Sequence, residues 1–369
     1  MFKRTLIAAS LTVAALASAQ AMAANVTGGG ATLPAALYKG SANSILPANF
    51  SYAATGSGVG KSAFLTNTAS QFGTTGTVHF AGSDSILSTA EISTYNTNFG
   101  AAYGPLIQLP SVATSVAIPY KKSGQTALNL TSAQLCDALS GTVTTWGPLL
   151  GNSDATPIRV VYRNVSSGTT EILSRHLNAI CPSKFAVNST FTNARLPAGS
   201  ALPSTWVGVA GTADVATAVN AVDGSIGYVG PDGVNAASNA VVARVNGVQP
   251  TTANVSLALG TAPLPTVPSN PTQWVPVVAQ PASGYPIVAY TNLIIGQCYK
   301  DAAVATDVRN FLTTHYSNPG NNAATVAHSF TPVPTNWKAA VTANFITNTS
   351  GNNLDINNAN ACNGIGRPL

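Results

Sequence analysis

The apolar positions fall in short runs that end on Gly, Ser, Thr or Asp, and stretches of helical spacing follow them. An extended run at 26–30 leads through a Gly-rich bend to Ala31, Thr32, Leu33 and Pro34, with Pro34 suited to a first helical turn. Residues 51–67 read as strand, turn and helix, the turn made by Gly56, Gly58 and Gly60. A third extended run, 78–82, ends at Ser83, Asp84 and Ser85. Thr131 and Gln134 form a capping box that predicts a helix over 131–139. Residues 158–163 read as a buried strand, and 166–171 open a helix running to about Asn178. Pro263, Pro265, Pro268, Pro271 and Pro276 make 251–280 a long loop or insertion rather than a core element. A strand at 285–290 and a helix at 302–315 follow, and the Asn- and Gly-rich tail 348–369 reads as irregular. Strands alternating with helices, with polar turns after the strands, predict an α/β fold.

The first residues stand apart from this pattern. Lys3 and Arg4, an apolar stretch at 6–16 and Ala21-Met22-Ala23 have the form of a secretory signal peptide over 1–23, with cleavage expected after Ala23. The net charge of +5 then loses two with Lys3 and Arg4. Only 7% of the 369 residues are charged, which excludes coiled coils, acidic tails and basic nucleic-acid tracts for want of material. No later apolar run approaches the ~20 residues of a membrane span, and no Cys lies near the cleavage site to take a lipid. The expected product is soluble and exported, periplasmic or secreted. In an exported chain the even set Cys136, Cys181, Cys298 and Cys362, without a C-x-x-C pair, favours two disulfides over a metal site. Three connectivities are open; the sequence-local one, Cys136 with Cys181 and Cys298 with Cys362, would staple each half separately.

Several strand-to-helix turns share one chemistry: small residues with free backbone N–H groups, then a helix N-terminus carrying a hydroxyl. Such turns bind oxyanions, because unsatisfied N–H groups and the positive end of the helix dipole both point at the ligand. Four occur here, at Ala31-Thr32-Leu33, Gly56-Ser57-Gly58, Gly82-Ser83-Asp84, and Arg163 with Ser167-Gly168-Thr169. Any one of them alone is more simply an ordinary helix cap.

Together with the run Gly28 to Ala35, the strand 160–163 and the run Gly224 to Val229, these turns resemble the periplasmic phosphate-binding protein of the phosphate ABC transporter, and its DING branch in particular. The resemblance runs in order through most of the mature chain. It implies a two-lobed, type II Venus-flytrap receptor of α/β construction that holds inorganic phosphate in the interlobe cleft. Lobe 1 would be 24–111 plus 285–369 and lobe 2 would be 112–284, with crossings near Ser111 and Gly284. The resemblance further implies a monomer that serves a phosphate ABC permease, performs no chemistry and needs no cofactor or metal. Carried over by position, Thr32 and Ser57 supply hydroxyls, Leu33 a backbone N–H, Asp84 a carboxylate, Arg163 a guanidinium fork, and Ser167, Gly168 and Thr169 amide and hydroxyl donors.

Asp84 is informative on physical grounds. A carboxylate facing an anion repels it unless the anion brings a proton, which phosphate does at neutral pH and sulfate does not, so Asp84 would reject sulfate. The chain also departs from the classical receptors, in which an Asp two residues after the site arginine holds the guanidinium; here that position is Val165.

A rival reading is a secreted phosphatase, an activity associated with DING proteins, and a third is an extracellular phosphate scavenger. The sequence offers no carboxylate cluster for a metal and no nucleophile beside a base. The segment 55–62 resembles a Walker A loop but begins with Thr55 where glycine is required, and no G-x-S-x-G elbow occurs. His79, His176, His315 and His328 lack zinc spacing and read as surface or strand residues. Trp146, Trp206, Trp274 and Trp337 read as packing anchors.

Overall fold

A computed structural model describes residues 24–196, 201–260 and 262–369. The expected signal peptide lies outside them. Among the described residues the strands form two six-stranded sheets. The first runs β12(Thr331–Pro332), β4(Leu106–Ser115), β11(Val288–Gly296), β3(Phe80–Ser83), β1(Gly28–Gly30), β2(Ala53–Ala54). The second runs β6(Asn129–Leu130), β10(Val242–Val245), β5(Ile118–Lys121), β9(Ser225–Gly227), β7(Arg159–Arg163), β8(Val207–Val209).

In the first sheet β1 is parallel to β2 and β3, and in the second β7 is parallel to β8 and β9. Each parallel group therefore presents its C-terminal strand ends on one edge, where α/β sheets place their ligands. The long strands β4 and β11 are buried along their whole length and pair antiparallel. Such continuous burial marks strands covered on both faces.

Turn chemistry made most elements legible. Helix Ser132–Ser140 starts at Thr131, and the capping box with Gln134 is formed in both directions. Helix Gly168–Ile180 follows β7 with Ser167 as its cap, and helix Ala302–Tyr316 is capped by Asp301. Helix Ser57–Thr66 lies close on β1: a Cβ at Gly60 would stand 2.6 Å from Gly30 Cα, so the pair of glycines sets this approach. All four tryptophans are buried.

Three expectations differ from the structure. The first crossing falls at Val116–Ala117, because β4 is one unbroken buried strand through Ser115. Val116 N donates to Ile287 O of the first sheet's segment, while Ala117 exchanges two bonds with Val229 of the second. The segment 251–280 is not simply a loop. Helix Thr252–Leu259 packs Val255, Ala258 and Leu259 against the first sheet, and Trp274 meets Trp337 and Phe345 edge-on. Prolines end regular structure but do not prevent burial of the side chains between them. Finally, the four histidines are buried rather than exposed, and His176 and His315 lie in helices. His79 Nδ1 accepts from Thr27 N, and burial lowers His79 and His315 to about 4, so both are neutral structural groups.

The disulfides are Cys136–Cys181 and Cys298–Cys362. The second pins a tail that has no helix or strand beyond Ile346, together with Arg367, which is fully buried over the Phe64 ring and donates to Val78 O and Phe64 O. The crosslink spans 64 residues, so chain entropy assigns it about 4 kcal/mol. Cys298→Ser/Cys362→Ser is expected to lower the urea midpoint accordingly; an unchanged midpoint would show that Arg367 holds the tail alone.

Candidate functional site

Thr32 follows β1, Ser57 opens the helix after β2, Asp84 follows β3, and Arg163 ends β7. The strand ends of the two sheets meet, and the meeting is tight. Arg163 Nη1 donates to Thr32 Oγ1 at 3.0 Å across the cleft. Ser57 Oγ accepts from Asp84 N at 3.1 Å and lies 3.4 Å from Asp84 Oδ2, to which it donates. Opposite them, a Cβ on Gly168 would stand 2.3 Å from Asp84 Cβ and 2.6 Å from Ser57 Oγ. Only glycine lets the N-terminus of helix Gly168–Ile180 come so near. Ser167 and Thr169 flank it, both buried, and Leu33 packs its side chain against Gly230 of the second sheet's side. All eight residues singled out from the sequence therefore lie along this junction.

Several polar atoms are buried here without a protein partner: Arg163 Nε and Nη2, Thr169 Oγ1, Ser85 Oγ and Asp84 Oδ1. Buried polar groups are almost always satisfied, so a cluster of them marks a place built for a guest. The set is asymmetric. Guanidinium N–H groups can only donate, hydroxyls can do either, and an ionised carboxylate can only accept. The complement is an oxyanion that itself carries one proton.

The electrostatics sharpen this. Burial pushes the Asp84 carboxyl up to about 6, with Glu171 adding to the rise, while the Thr291 and Ser57 hydroxyls and the Arg163 guanidinium oppose it. Burial lowers Arg163 from its usual value, with Tyr228, Asp84 and Asp214 pulling it back; it stays charged. Glu171 itself is tied to Arg175 at 2.7 Å.

Sequence reasoning missed part of this surround. The Tyr228 hydroxyl accepts from Arg163 N at 2.9 Å and shares a 2.8 Å bond with Thr170, and burial pushes it up to about 12 so that it stays neutral. Tyr228 lies in the run that carried the resemblance, but nothing in a lone strand-end tyrosine announces such a bond. Thr212, 3.0 Å from Thr32, had no signal. Val165, two residues after Arg163, is 37% exposed, and its side chain has no acceptor to give the guanidinium.

A family profile described as the PBP superfamily domain matches residues 15–317. The solved structure titled a high affinity periplasmic phosphate-binding protein (PfluDING) bound with phosphate is 46% identical, covers 94% of this chain and all of its own, and superposes with a TM-score of 0.87. This chain belongs to the PBP superfamily, in its DING branch. Other relatives of the DING chain agree in fold and extent. The phosphate-binding protein of Stenotrophomonas maltophilia is 46% identical over 94% of this chain and 100% of that one, with a TM-score of 0.87. A Pseudomonas aeruginosa protein named Alkaline phosphatase L is 65% identical over the full length of both chains. This DING chain thus has the two-domain fold of its phosphate-binding structural neighbours.

Proposed function

We propose that this chain is an exported receptor that captures inorganic phosphate between its lobes and delivers it, as a monomer, to an ABC permease. One observation carries the reading: unpartnered buried donors from Arg163 and Thr169 stand with the carboxylate acceptor Asp84 Oδ1 at one junction between the sheets. Monohydrogen phosphate matches that set, three oxygens taking donors and the protonated one giving its hydrogen to Asp84. The named phosphate-binding relatives support it, PfluDING being described as periplasmic. No described helix is long and apolar enough to cross a membrane. In this reading the lobes part at Val116–Ala117 on one crossing and beside Tyr285 on the other, where the Tyr285 hydroxyl donates to Val116 O. Ligand favours the closed form because it contacts both lobes.

Calorimetry with phosphate and with excess sulfate tests the reading. Tight binding of phosphate alone is expected, and equal binding of both anions would overturn it. Closure makes a further demand on Gly168. Gly168→Ala would drive a methyl onto Asp84 Cβ, so phosphate affinity is expected to fall at least about tenfold. Unchanged affinity would mean that the helix does not approach Asp84 when phosphate is bound.

The name Alkaline phosphatase L, borne by a relative, is the one argument for a second reading, hydrolysis of phosphomonoesters. Here Ser57 Oγ, beside Asp84, would be the nucleophile. Among the described residues no group of three or more His, Cys, Asp or Glu is placed to hold a metal, so such turnover would rest on these side chains. Robust turnover of a chromogenic monoester, abolished by Ser57→Ala, would establish the second reading over simple capture.

A further inference from the structure

We propose that Thr212 is a positioning residue for anion capture: by donating to Thr32 Oγ1 it leaves the Thr32 proton to point at the bound anion. The inference rests on the phosphate reading and names a residue outside the eight above.

Three observations lead to it. Arg163 Nη1 lies 3.0 Å from Thr32 Oγ1, and a guanidinium has no acceptor, so Thr32 must accept. Thr212 Oγ1 lies 3.0 Å from the same oxygen. A hydroxyl has two lone pairs and one hydrogen. If Thr32 spent its hydrogen on Thr212, it would offer an anion only a lone pair, which repels. If Thr212 donates instead, both lone pairs of Thr32 are filled from the second lobe and its one hydrogen remains for an anion oxygen. Donation from two sides also polarises the Thr32 O–H and strengthens it as a donor.

The start of helix Thr212–Ala221 leaves Thr212 free for this. The cap is supplied by Asp214, whose Oδ2 accepts from Gly211 N at 2.8 Å, so the Thr212 hydroxyl is not needed for backbone N–H groups. Asp214 also acts electrostatically in favour of the charged Arg163. Thr32 comes from the first lobe, and both its partners come from the second. The arrangement therefore gives Arg163 a side-chain anchor where exposed Val165 gives none, and this anchor forms only when the lobes are together.

Phosphate calorimetry on the parent, Thr212→Val, Thr212→Ser, Thr32→Val and Thr32→Val/Thr212→Val tests it. Thr212→Val is expected to weaken binding roughly five- to tenfold, the size of one lost hydrogen bond, and Thr212→Ser to restore it to within about twofold. The double variant should bind no more weakly than Thr32→Val alone, since Thr212 acts only through Thr32. Thr212→Ala carries the same expectation should the valine variant fail to fold. Parent-like affinity in Thr212→Val or Thr212→Ala, or additive losses in the double variant, would overturn the inference while leaving phosphate capture intact. A parent protein that takes up no phosphate would overturn both.

Discussion

Arg163→Met is expected to weaken phosphate binding by about 10²–10³-fold while leaving the protein folded. Arg163 is 2% exposed and has two guanidinium nitrogens without protein partners, so its removal strips the cleft of a positive charge and of a planar pair of donors. Truncating one member of a buried charged contact costs about 3–5 kcal/mol, and tenfold in affinity is about 1.4 kcal/mol. Arg163→Lys should recover little of it, because a point charge on a flexible stem cannot reach Thr32 and two anion oxygens together. A dissociation constant within tenfold of the parent for Arg163→Met would remove the guanidinium from the site.

Asp84→Asn should separate specificity from stability. An amide can donate to an anion oxygen, so sulfate, shut out by the buried carboxylate, should gain on the order of a hundredfold in affinity, since an unpaired buried charged acceptor costs about 3 kcal/mol. The same logic gives the parent protein a pH dependence. With Asp84 titrating at about 6, its protonated form at pH 5 can itself donate, and sulfate should compete measurably there but not at pH 8. Failure of sulfate to compete with Asp84→Asn at any pH would sink the idea that the carboxylate is the discriminator.

The stability consequence has the opposite sign from that of a salt-bridged carboxylate. The folded value, about 6, lies above the ordinary 3.8, so the folded protein retains a proton that the unfolded chain has lost between those values. Stability falls as pH rises through about 4 to 6, and above that window the ionised Asp84 costs ligand-free protein on the order of 3 kcal/mol. Asp84→Asn should accordingly raise the ligand-free melting temperature at pH 8 and change it little at pH 4. A uniform shift at both would show that the substitution acts through packing.

What could be read in advance divides cleanly by range. The cap at Thr131, the turn glycines before Ser57, the helix opening at Ser167 and the strand that ends in Arg163 are each decided within four or five residues, and the chain declares them. The resemblance extended that reading to eight site positions. It did not extend to residues whose role depends on what folds over them. His79 and His315 are neutral because they are buried, the prolines of 251–280 flank a tryptophan that joins the core, and Arg367 holds the tail from beneath. No local spacing distinguishes these from surface residues.

The sequence by itself determined the α/β alternation, the oxyanion-type turns and their donors, because dihedral preferences and capping bonds are local. Two choices were settled only in three dimensions: which cysteines pair out of three possible connectivities, and which turn faces which. Thr32 meets Arg163 across 131 residues and Thr212 across 180, and Gly168 presses on Asp84 from the other lobe. The acid that is to judge a proton on its guest acquires its raised titration point from that same enclosure, since desolvation belongs to the assembled cleft and to no segment of the chain.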